Sequence, residues 1–421
     1  MKKIIRLLSA FLVFCTVLSV IPTAFAAGVQ VAAPAAILVD GESGLVLFEK
    51  NADKKMYPAS TTKIMTAILA LEHAKLTDTA TASHEAVFTI SYDSSSAGLY
   101  EGETLTVEQL VYTLMIASAN DSANVLAEHV AGSISAFVDM MNKKAKELGA
   151  ENTHYANTHG LHSEKHYTTA RDLAKITAYA MKNPVFAQIV AMPKYTLPPT
   201  NKFDDKRYFT NTNNLINSES SYYMKDATGV KTGYTGEAKN CLVAAATRGN
   251  SSLIAVSLGS TPVEGRVMSF ADCKNLLEYG FKNFPPQKIV SKGEIISDLP
   301  IKNALGARKV ILEAESDLHI ILPKGVAAED TEVLEYIRKE VSAPIKKGDL
   351  MGRKEYWHSG VCLGQVNMVA IKDYKKMPLA PVVNLFIAIF GNIWLYIIIL
   401  AVFGFMTYKE NRRKNRRRSR R

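Results

Sequence analysis

Segments with strand character stand at both ends of residues 32–284, and this arrangement limits the folds that the chain can adopt. Residues 35–50 form two short apolar runs around the turn Asp40-Gly41-Glu42-Ser43-Gly44, which is typical of a β-hairpin. Strand patterns return at residues 241–246 and 253–259. Apolar residues between these strand segments recur at spacings of three and four, which predicts helices in the middle of the domain. These helices cover residues 63–74, 106–130 and 135–148, and another starts near Thr169 with a cap. One further helix, at residues 265–279, follows the last strand. The sequence therefore predicts an α/β (α+β) domain whose antiparallel sheet joins strands from both ends and is flanked by helices.

A second domain begins after a proline pair. Pro285 and Pro286 end the last helical segment, because proline terminates helices and stiffens the chain that follows. Residues 289–374 then alternate apolar and polar side chains in short runs with Gly and Asp turns, which is typical of a small β sandwich. We therefore expect a first domain at residues 32–284 and a small all-β C-terminal domain at residues 289–374.

Both chain ends have the features of membrane-directed segments. Residues 1–26 combine basic residues, an apolar stretch and the small-x-small pattern Ala24-Phe25-Ala26, so we expect a removed signal peptide, with an uncleaved N-terminal anchor as the alternative. Residues 377–408 contain no charged side chain. We expect a transmembrane helix at residues 382–408, since a span needs about 20 apolar residues. The Arg-rich tail at residues 409–421 then predicts a cytoplasmic C-terminus and an extracytoplasmic location for both domains.

The two ends also explain the basic character of the chain. The tail carries a net charge of +8 and the first 26 residues carry +3, whereas the whole chain carries +10. The remainder is close to neutral, which gives no electrostatic reason to expect nucleic acid as a partner. A nucleic-acid-binding tail is the alternative interpretation of the arginines, but their position beside an apolar segment favours a membrane surface.

Three short motifs occur in an order that indicates nucleophilic catalysis. They are Ser60-Thr61-Thr62-Lys63, Ser118-Ala119-Asn120 and Lys231-Thr232-Gly233. Each is common by chance, whereas the ordered set is rare and matches the serine-lysine, serine-asparagine and lysine-threonine-glycine motifs of enzymes that interact with penicillin. The predicted catalytic residues are Ser60, Lys63, Ser118 and Asn120, and this chemistry needs no metal or cofactor.

The spacing of the first motif explains how a serine can react without a histidine. Ser60 precedes an apolar periodic run, which places it at a helix start, where backbone amides stabilise negative charge. Lys63 lies one turn later on the same face. A second cation such as Lys231, together with partial desolvation, would lower the pKa of Lys63, which could then accept the proton of Ser60.

The second motif predicts contacts with the leaving group and the substrate. Ser118 and Asn120 lie between two helical stretches, where alternate polar side chains can point into one cleft. Ser118 would relay the proton to the leaving amine, and Asn120 would hold the amide of the acylated substrate. A helix end with an incidental cap is the alternative interpretation.

The third motif predicts a peptide-binding strand edge. Lys231, Thr232 and Gly233 precede the strand pair, so an extended peptide could add to them as another strand. Gly233 permits a close approach, and Lys231 and Thr232 would bind the substrate carboxylate or the region beside it. The backbone amides of Ser60 and Tyr234 are the predicted oxyanion donors.

These motifs and three further segments resemble a known family. The segments are Tyr57 to Thr66, Ser118 to Ser122, His159-Gly160-Leu161, Thr169 to Asp172 and Gly229 to Thr235, and they are similar to those of the low-molecular-mass penicillin-binding proteins, specifically the D-alanyl-D-alanine carboxypeptidases. The resemblance implies a penicillin-binding/β-lactamase-like transpeptidase fold, removal of the terminal D-alanine from peptidoglycan stem pentapeptides, and acylation by β-lactam antibiotics. It also implies that Arg266 helps to bind the terminal carboxylate.

The sequence departs from many relatives at three points. Ala119 stands where many have glycine, and Tyr234 stands where many have histidine; both differences affect the shape of the pocket, while the reactive side chains are kept. Many relatives end in an amphipathic helix that lies on the membrane, whereas this sequence predicts a span. The membrane attachment is therefore argued from this sequence alone.

Other functions remain open at this stage. A DD-transpeptidase, an endopeptidase or a β-lactamase could use the same motifs, although no Glu-x-x-Leu-Asn stretch of the kind that class A β-lactamases use for deacylation follows Ser118. A zinc peptidase would draw on His154, His159, His162 and His166, but no His-Glu-x-x-His spacing occurs. A membrane-anchored protein that binds wall peptide or penicillin without turnover is the non-enzymatic alternative.

Overall fold

The computed structural model describes residues 29–378, positions 382 and 385, and residues 393–418. These residues form two compact units that divide between Pro286 and Gln287, with Ile321–Gly325 belonging to the first unit. The predicted signal peptide at residues 1–26 lies outside the described residues, as do parts of the predicted span at residues 382–408.

The first unit contains a central sheet, eight helices and two small strand pairs among its described residues. A 3-10 turn at Ala59–Thr62 leads into the first helix. In chain order the elements are β1 (Ala35–Asp40), β2 (Val46–Lys50), α1 (Lys63–His73), β3 (Thr79–Thr81), α2 (His84–Phe88), β4 (Thr104–Thr106), α3 (Val107–Ile116), α4 (Asn120–Ala131), α5 (Ile134–Glu147), α6 (Ala170–Met181), α7 (Pro184–Val190), β5 (Lys194–Leu197), β6 (Arg207–Thr210), β7 (Ala227–Thr235), β8 (Lys239–Arg248), β9 (Ser251–Ser260) and α8 (Met268–Asn283).

The central sheet joins strands from both ends of the unit, as the sequence predicts. Its five strands are antiparallel and follow the order β2-β1-β9-β8-β7. In the register of β1 with β9, Leu38 pairs with Ala255. Strand β7, which carries Lys231, Thr232 and Gly233, lies at the edge of the sheet, so the prediction of an edge strand is confirmed.

The two faces of the sheet bury different layers. Ile37 and Val39 belong to a large apolar cluster with residues of α1 and α3–α7. Leu38 points to the opposite face, because successive side chains of a strand alternate. There it meets α8 at Gly280, where an added Cβ would lie 2.9 Å from Leu38 Cδ2 and 2.6 Å from Leu253 Cδ1. Each fully buried aliphatic side chain contributes about 1.5–3 kcal/mol, so the helices on both faces stabilise the sheet that positions β7.

The helix boundaries confirm most of the sequence pattern. Thr106 and Gln109 form a capping box at the start of α3, and the Thr169 hydroxyl accepts a hydrogen bond from the Asp172 amide at the start of α6. The helical pattern at residues 106–130 forms two helices, α3 and α4, and not one; the break between them falls at Ser118, where the second motif predicts it. The helix predicted from residue 265 instead begins at Met268, because Gly265 adopts a positive φ of 75° and the chain turns there.

The second unit is rich in β structure, as predicted. A six-stranded sheet follows the order β14-β16-β17-β12-β11-β15, and β10 pairs with β13. The strands are β10 (Gln287–Val290), β11 (Ile295–Lys302), β12 (Lys309–Ala314), β13 (Leu318–Ile320), β14 (Glu332–Ile337), β15 (Val341–Ser342), β16 (Leu350–His358) and β17 (Val361–Ala370), and helix α9 (Ile393–Arg418) follows them. Tyr374 is buried in this unit, where its hydroxyl accepts a hydrogen bond from the Ile311 amide at 2.8 Å.

Among the described residues, no helix combines the length and the apolar character that a membrane span requires.

We expect Gly280→Ala to destabilise the first unit. The added methyl group would overlap two leucine side chains, and overpacking of this kind costs about 1–3 kcal/mol, more than the roughly 1 kcal/mol that alanine gains over glycine inside a helix. Urea unfolding of this variant should show a lower midpoint. Asn275→Ala, at an exposed position of the same helix, is the control and should not lower it; equal behaviour of the two variants would contradict this packing account.

Candidate active site

Ser60 lies in a strained turn. It belongs to the 3-10 turn Ala59–Thr62, and α1 begins only at Lys63, so the serine precedes the helix by one short turn. Ala59 has a φ of 48°, in the left-handed region that non-glycine residues rarely adopt. Two threonine hydroxyls hold the turn: Thr61 Oγ1 donates to the Pro58 carbonyl at 2.7 Å, and Thr62 Oγ1 donates to the Ala59 carbonyl at 2.8 Å.

Lys63 connects three parts of the site through its amine. Its Nζ lies 3.1 Å from Ser60 Oγ, 2.6 Å from Asn120 Oδ1 and 2.8 Å from the His159 carbonyl oxygen. The side chain is fully buried. Burial, together with the positive charge of Lys231, holds the pKa of the Lys63 amine well below its usual range, while the Asp121 carboxylate acts in the opposite direction. An amine in this environment can lose its proton and accept one from Ser60.

Ser118 and Asn120 project from the break between α3 and α4. Ser118 has a φ of 61°, so a second non-glycine residue of the site adopts the left-handed region. Asn120 starts α4, and its amide donates to the Ser95 carbonyl at 2.9 Å. Its side-chain oxygen is the acceptor closest to Lys63. The motif is therefore placed where the sequence predicts, with Asn120 bonded directly to the Lys63 amine.

Lys231 supplies the second buried amine. It lies on β7 with 1 % of its surface exposed, and its Nζ donates to the Thr232 carbonyl at 3.0 Å. Burial lowers the pKa of Lys231 to about 7. Two lysines are thus buried in the same part of the site, and the charge of Lys231 disfavours a charge on Lys63.

Gly233 lets β7 approach the nucleophile closely. A Cβ at this position would lie 2.9 Å from the Ser60 backbone nitrogen and 3.0 Å from the Pro58 carbonyl oxygen. Any side chain here would displace the turn that carries Ser60. The neighbouring Thr232 hydroxyl lies 2.5 Å from the Thr212 hydroxyl, and the Tyr234 side chain is exposed beside them.

A histidine-containing loop supports the nucleophile turn from behind. Gly160 has a φ of 92°, and a Cβ there would lie only 1.8 Å from the Ala59 carbonyl oxygen. His166 Nδ1 accepts a hydrogen bond from the Ala156 amide at 3.1 Å, so Nε2 carries the proton and donates to Thr62 Oγ1 at 2.8 Å. Thr62 in turn donates to Ala59, which completes a chain from the imidazole to the strained turn.

The four histidines of the zinc alternative have structural partners instead. Burial lowers the pKa of both His159 and His166 to about 3, so both are neutral. His159 Nδ1 accepts from the Leu161 amide at 3.2 Å, and His154 Nδ1 donates to the Lys165 carbonyl at 2.6 Å. Within the described residues, no three His, Cys, Asp or Glu side chains are grouped to hold a metal ion.

A cleft of about 530 Å³ brings most of the predicted site residues together. It is lined by the predicted residues Ser60, Ser118, Asn120, Thr232, Gly233 and Tyr234, whereas Lys63 and Lys231 are buried next to the lining residues. Arg266 is exposed and does not line the cleft, although the adjacent Val267 does.

Several residues of the cleft were not predicted from the sequence. Thr212 and the serine loop, defined as residues 91–97, also line or border it. Asp121 holds this loop in place: the carboxylate accepts hydrogen bonds from the Ala97 amide at 2.9 Å, the Leu99 amide at 3.1 Å and the Ser96 hydroxyl at 2.5 Å. Asp121 was visible in the sequence as the residue after Asn120, but Thr212 and the serine loop belong to no motif.

The arrangement defines a class of site. A serine at a helix-leading turn, a buried amine of lowered pKa beside its oxygen, and a strand edge with a nearby amide are the parts needed for acyl transfer through a serine ester. Relay of protons can pass through Lys63 and Ser118 without a histidine.

Comparison with known proteins identifies the family. The family model for D-alanyl-D-alanine carboxypeptidases matches residues 22–261, and the model for the C-terminal domain of penicillin-binding protein 5 matches residues 284–376. The chain is 34 % identical to D-alanyl-D-alanine carboxypeptidase DacF of Bacillus subtilis over 88 % of this chain and 95 % of that protein. The protein therefore belongs to the D-alanyl-D-alanine carboxypeptidase family of low-molecular-mass penicillin-binding proteins.

Solved structures agree with this assignment. Penicillin-binding protein 5 of Haemophilus influenzae is similar with a TM-score of 0.61 and 30 % identity, covering 82 % of this chain and 98 % of that one. The DD-transpeptidase of Streptomyces K15 is similar with a TM-score of 0.55 and 34 % identity, covering 60 % of this chain and 98 % of that one.

We expect Gly160→Ala to disable the site. Its methyl group would collide with the Ala59 carbonyl and displace Ser60, so acylation by a fluorescent penicillin should fall by at least about 10²-fold, since positional errors near 1 Å have effects of that size. Gly44→Ala is the matched control, because Gly44 also has a positive φ of 74° but has open space around it. That variant should lose roughly 1 kcal/mol of stability and keep its acylation rate. Equal acylation rates in the two variants would be evidence against the steric role of Gly160.

Proposed function

We propose that this protein is a serine D-alanyl-D-alanine carboxypeptidase that removes the terminal D-alanine from peptidoglycan stem pentapeptides through an acyl-Ser60 intermediate. The observation on which this depends is the buried Lys63 amine, 3.1 Å from Ser60 Oγ and with a strongly lowered pKa. Membership of the carboxypeptidase family and the named activities of its relatives support the choice of substrate.

The acylation step uses Lys63 as the base. Neutral Lys63 accepts the proton of Ser60 while Ser60 Oγ attacks the carbonyl carbon of the penultimate D-alanine. The negative charge on the carbonyl oxygen is stabilised by the backbone amides of Ser60 and Tyr234. Ser118 then passes a proton to the leaving nitrogen as the peptide bond breaks, and Lys63 returns the proton it took from Ser60 to Ser118. D-alanine leaves, an ester remains on Ser60, and Lys63 is neutral again.

Hydrolysis of the ester completes the cycle. Water attacks the ester carbonyl, its proton passes to Lys63, and Ser60 regains its proton as the shortened peptide leaves. Asn120 is placed to hold the substrate amide, although its oxygen also accepts the Lys63 hydrogen bond. Penicillins would acylate Ser60 in the same way and form an ester that water releases slowly.

Substrate orientation follows from the charges along β7. The terminal carboxylate binds at Lys231 and Thr232, and the peptide backbone adds to the edge of β7 beside Gly233 and Tyr234. Arg266 is exposed just outside the cleft, so a part in carboxylate binding would require its side chain to turn inward.

The activity test compares D-alanine release from diacetyl-L-lysyl-D-alanyl-D-alanine. Ser60→Ala should abolish release, and Lys63→Met should lower kcat/KM by about 10²–10⁴-fold, because a positioned general base contributes that much. Ser218→Ala, an exposed serine outside the cleft, is the control. Release by Ser60→Ala at the control rate would refute the acyl-serine mechanism.

Two further measurements test the alternative functions. Adding an acceptor amine distinguishes transpeptidation, which forms a new peptide, from hydrolysis. Measuring penicillin turnover tests the β-lactamase alternative.

The two lysines predict a bell-shaped dependence of kcat/KM on pH. Activity should rise with pH as Lys63 loses its proton, and fall as Lys231 loses its proton, near pH 7 in the free enzyme. A bound substrate carboxylate stabilises the charged form of Lys231, so the falling limb of kcat should lie at higher pH than that of kcat/KM. Lys231→Arg should remove the falling limb, since a guanidinium stays protonated. A falling limb that persists unchanged in this variant would contradict the assignment.

We also propose that the protein acts outside the cytoplasmic membrane and is attached to it by residues 382–408. The uncharged stretch at residues 377–408, the adjacent basic tail and the exposed apolar side chains of α9, such as Leu400 and Phe403, support this proposal. The expected result is that the full chain stays in the membrane pellet after alkaline carbonate extraction, whereas a chain that ends at residue 376 is released. Extraction of both forms would contradict attachment at this segment.

A further inference from the structure

A second cavity lies beside the catalytic cleft, and nothing in the mechanism uses it. Its volume is about 450 Å³, within the range of small-ligand sites, and its lining residues are Lys55, Met56, Tyr57, Glu164, Tyr167, Glu237 and Ala238. Two of these residues adjoin the catalytic elements. Tyr57 lies three residues before Ser60, and Glu237 follows the end of β7 by two residues.

The direction of the substrate leads towards this cavity. With the terminal carboxylate at Lys231 and Thr232, a peptide that adds antiparallel to β7 has its N-terminal part beside Thr235 and the turn that follows. Glu237 is three residues beyond Tyr234, so it lies within about 11 Å of the oxyanion position. The residue that precedes the two D-alanines, the third residue of the stem, is therefore the part of the substrate that reaches the cavity.

The walls of the cavity fit a side chain with an apolar stem. Met56, Tyr57, Tyr167 and Ala238 supply apolar surface, and Tyr57 is held by an edge-to-face contact with His162 at 4.7 Å between ring centroids. Aliphatic methylene groups can pack on such a surface while a polar end stays near the solvent.

The charged residues that line the cavity are of both signs, and they make few close ion pairs. The Lys55 amine lies 4.3 Å above the centre of the Tyr167 ring and forms no salt bridge within the described part of the chain. Among the residues that the structure describes, the ion pair of Glu237 is a long one to His162 Nδ1, at 4.0 Å. A ligand end with one positive and one negative group would find a partner for each: the ammonium at Glu237 or Glu164, and the carboxylate at Lys55.

We propose that this cavity is a specificity site for the third stem residue and recognises a side chain that ends in a zwitterionic amino-acid group, as meso-diaminopimelate does. A lysine side chain would leave Lys55 without a partner and is the poorer ligand. The inference rests on the proposed carboxypeptidase function and adds the class of peptidoglycan on which the enzyme acts.

The test uses two tripeptides that are acetylated on the α-amine and keep a free side-chain amine. They differ only in the first residue, which is meso-diaminopimelate or L-lysine before D-alanyl-D-alanine. The full-length protein should release D-alanine from the diaminopimelate peptide with a kcat/KM about fivefold higher, as expected for one solvent-accessible charge pair. Lys55→Met should lower the value for the diaminopimelate peptide about fivefold and leave the lysine peptide unchanged. Lys54→Met, the exposed neighbour outside the cavity, is the matched control and should change neither.

A second variant tests the other charge. Glu237→Gln should lower kcat/KM for both peptides, because both carry an ammonium group, and should have no effect when that amine is acetylated. Equal kcat/KM for the two peptides, a preference for lysine, or a preference that survives Lys55→Met would overturn the inference.

Failure of the carboxypeptidase function would give a different result, namely no D-alanine release from either peptide. In that case binding of the corresponding product peptides to the full-length protein, measured by calorimetry, decides the question. Tighter binding of the diaminopimelate product that is lost in Lys55→Met supports the specificity site, and equal binding of the two products overturns it.

Discussion

The site depends on two lysine amines that are buried in the same region. Burying a cation is unfavourable unless it is paired, and here the anion that acts on Lys63, Asp121, already accepts hydrogen bonds from Ser96, Ala97 and Leu99. The unfavourable free energy is lowered when Lys63 gives up its proton, and the hydrogen bonds to Asn120 and His159 orient the neutral amine towards Ser60. The chemistry of the enzyme is thus a consequence of where the fold places these two side chains.

That placement requires a strained backbone, which the rest of the unit stabilises. Ala59 and Ser118 both adopt left-handed conformations, and each costs about 1–3 kcal/mol. The nucleophile turn is fixed by contact with Gly160 and by the hydrogen-bond chain from His166 through Thr62. The antiparallel sheet, packed between helices on both faces, brings β7 against this turn at Gly233, where the absence of a side chain permits the close contact. Rigid support of this kind keeps the reacting groups in place before substrate arrives.

Much of this could be predicted from the sequence, because strand and helix periodicity and the three motifs depend on local patterns. The edge position of β7 and the break at Ser118 followed from those patterns. The roles of Gly160, Thr212 and the serine loop could not be predicted, because they arise from contacts between residues far apart in the chain. The four histidines show why sequence spacing is not sufficient. Their clustering suggested a metal site, whereas the hydrogen-bond partners in the structure show that His166 supports the nucleophile turn. The position of Arg266 outside the cleft depends on the local turn at Gly265, which periodicity placed inside a helix.

The mechanism requires that the Lys63 amine is neutral when the enzyme works. NMR titration of the protein labelled with ¹³C at the lysine side chains, with the Lys63 signal assigned through Lys63→Arg, measures this directly. If Lys63 is the base, its Cε signal titrates well below the ordinary lysine pKa of about 10.4. Titration of that signal at the ordinary value would mean that the amine is charged at neutral pH and cannot accept the proton of Ser60, which would rule out Lys63 as the base.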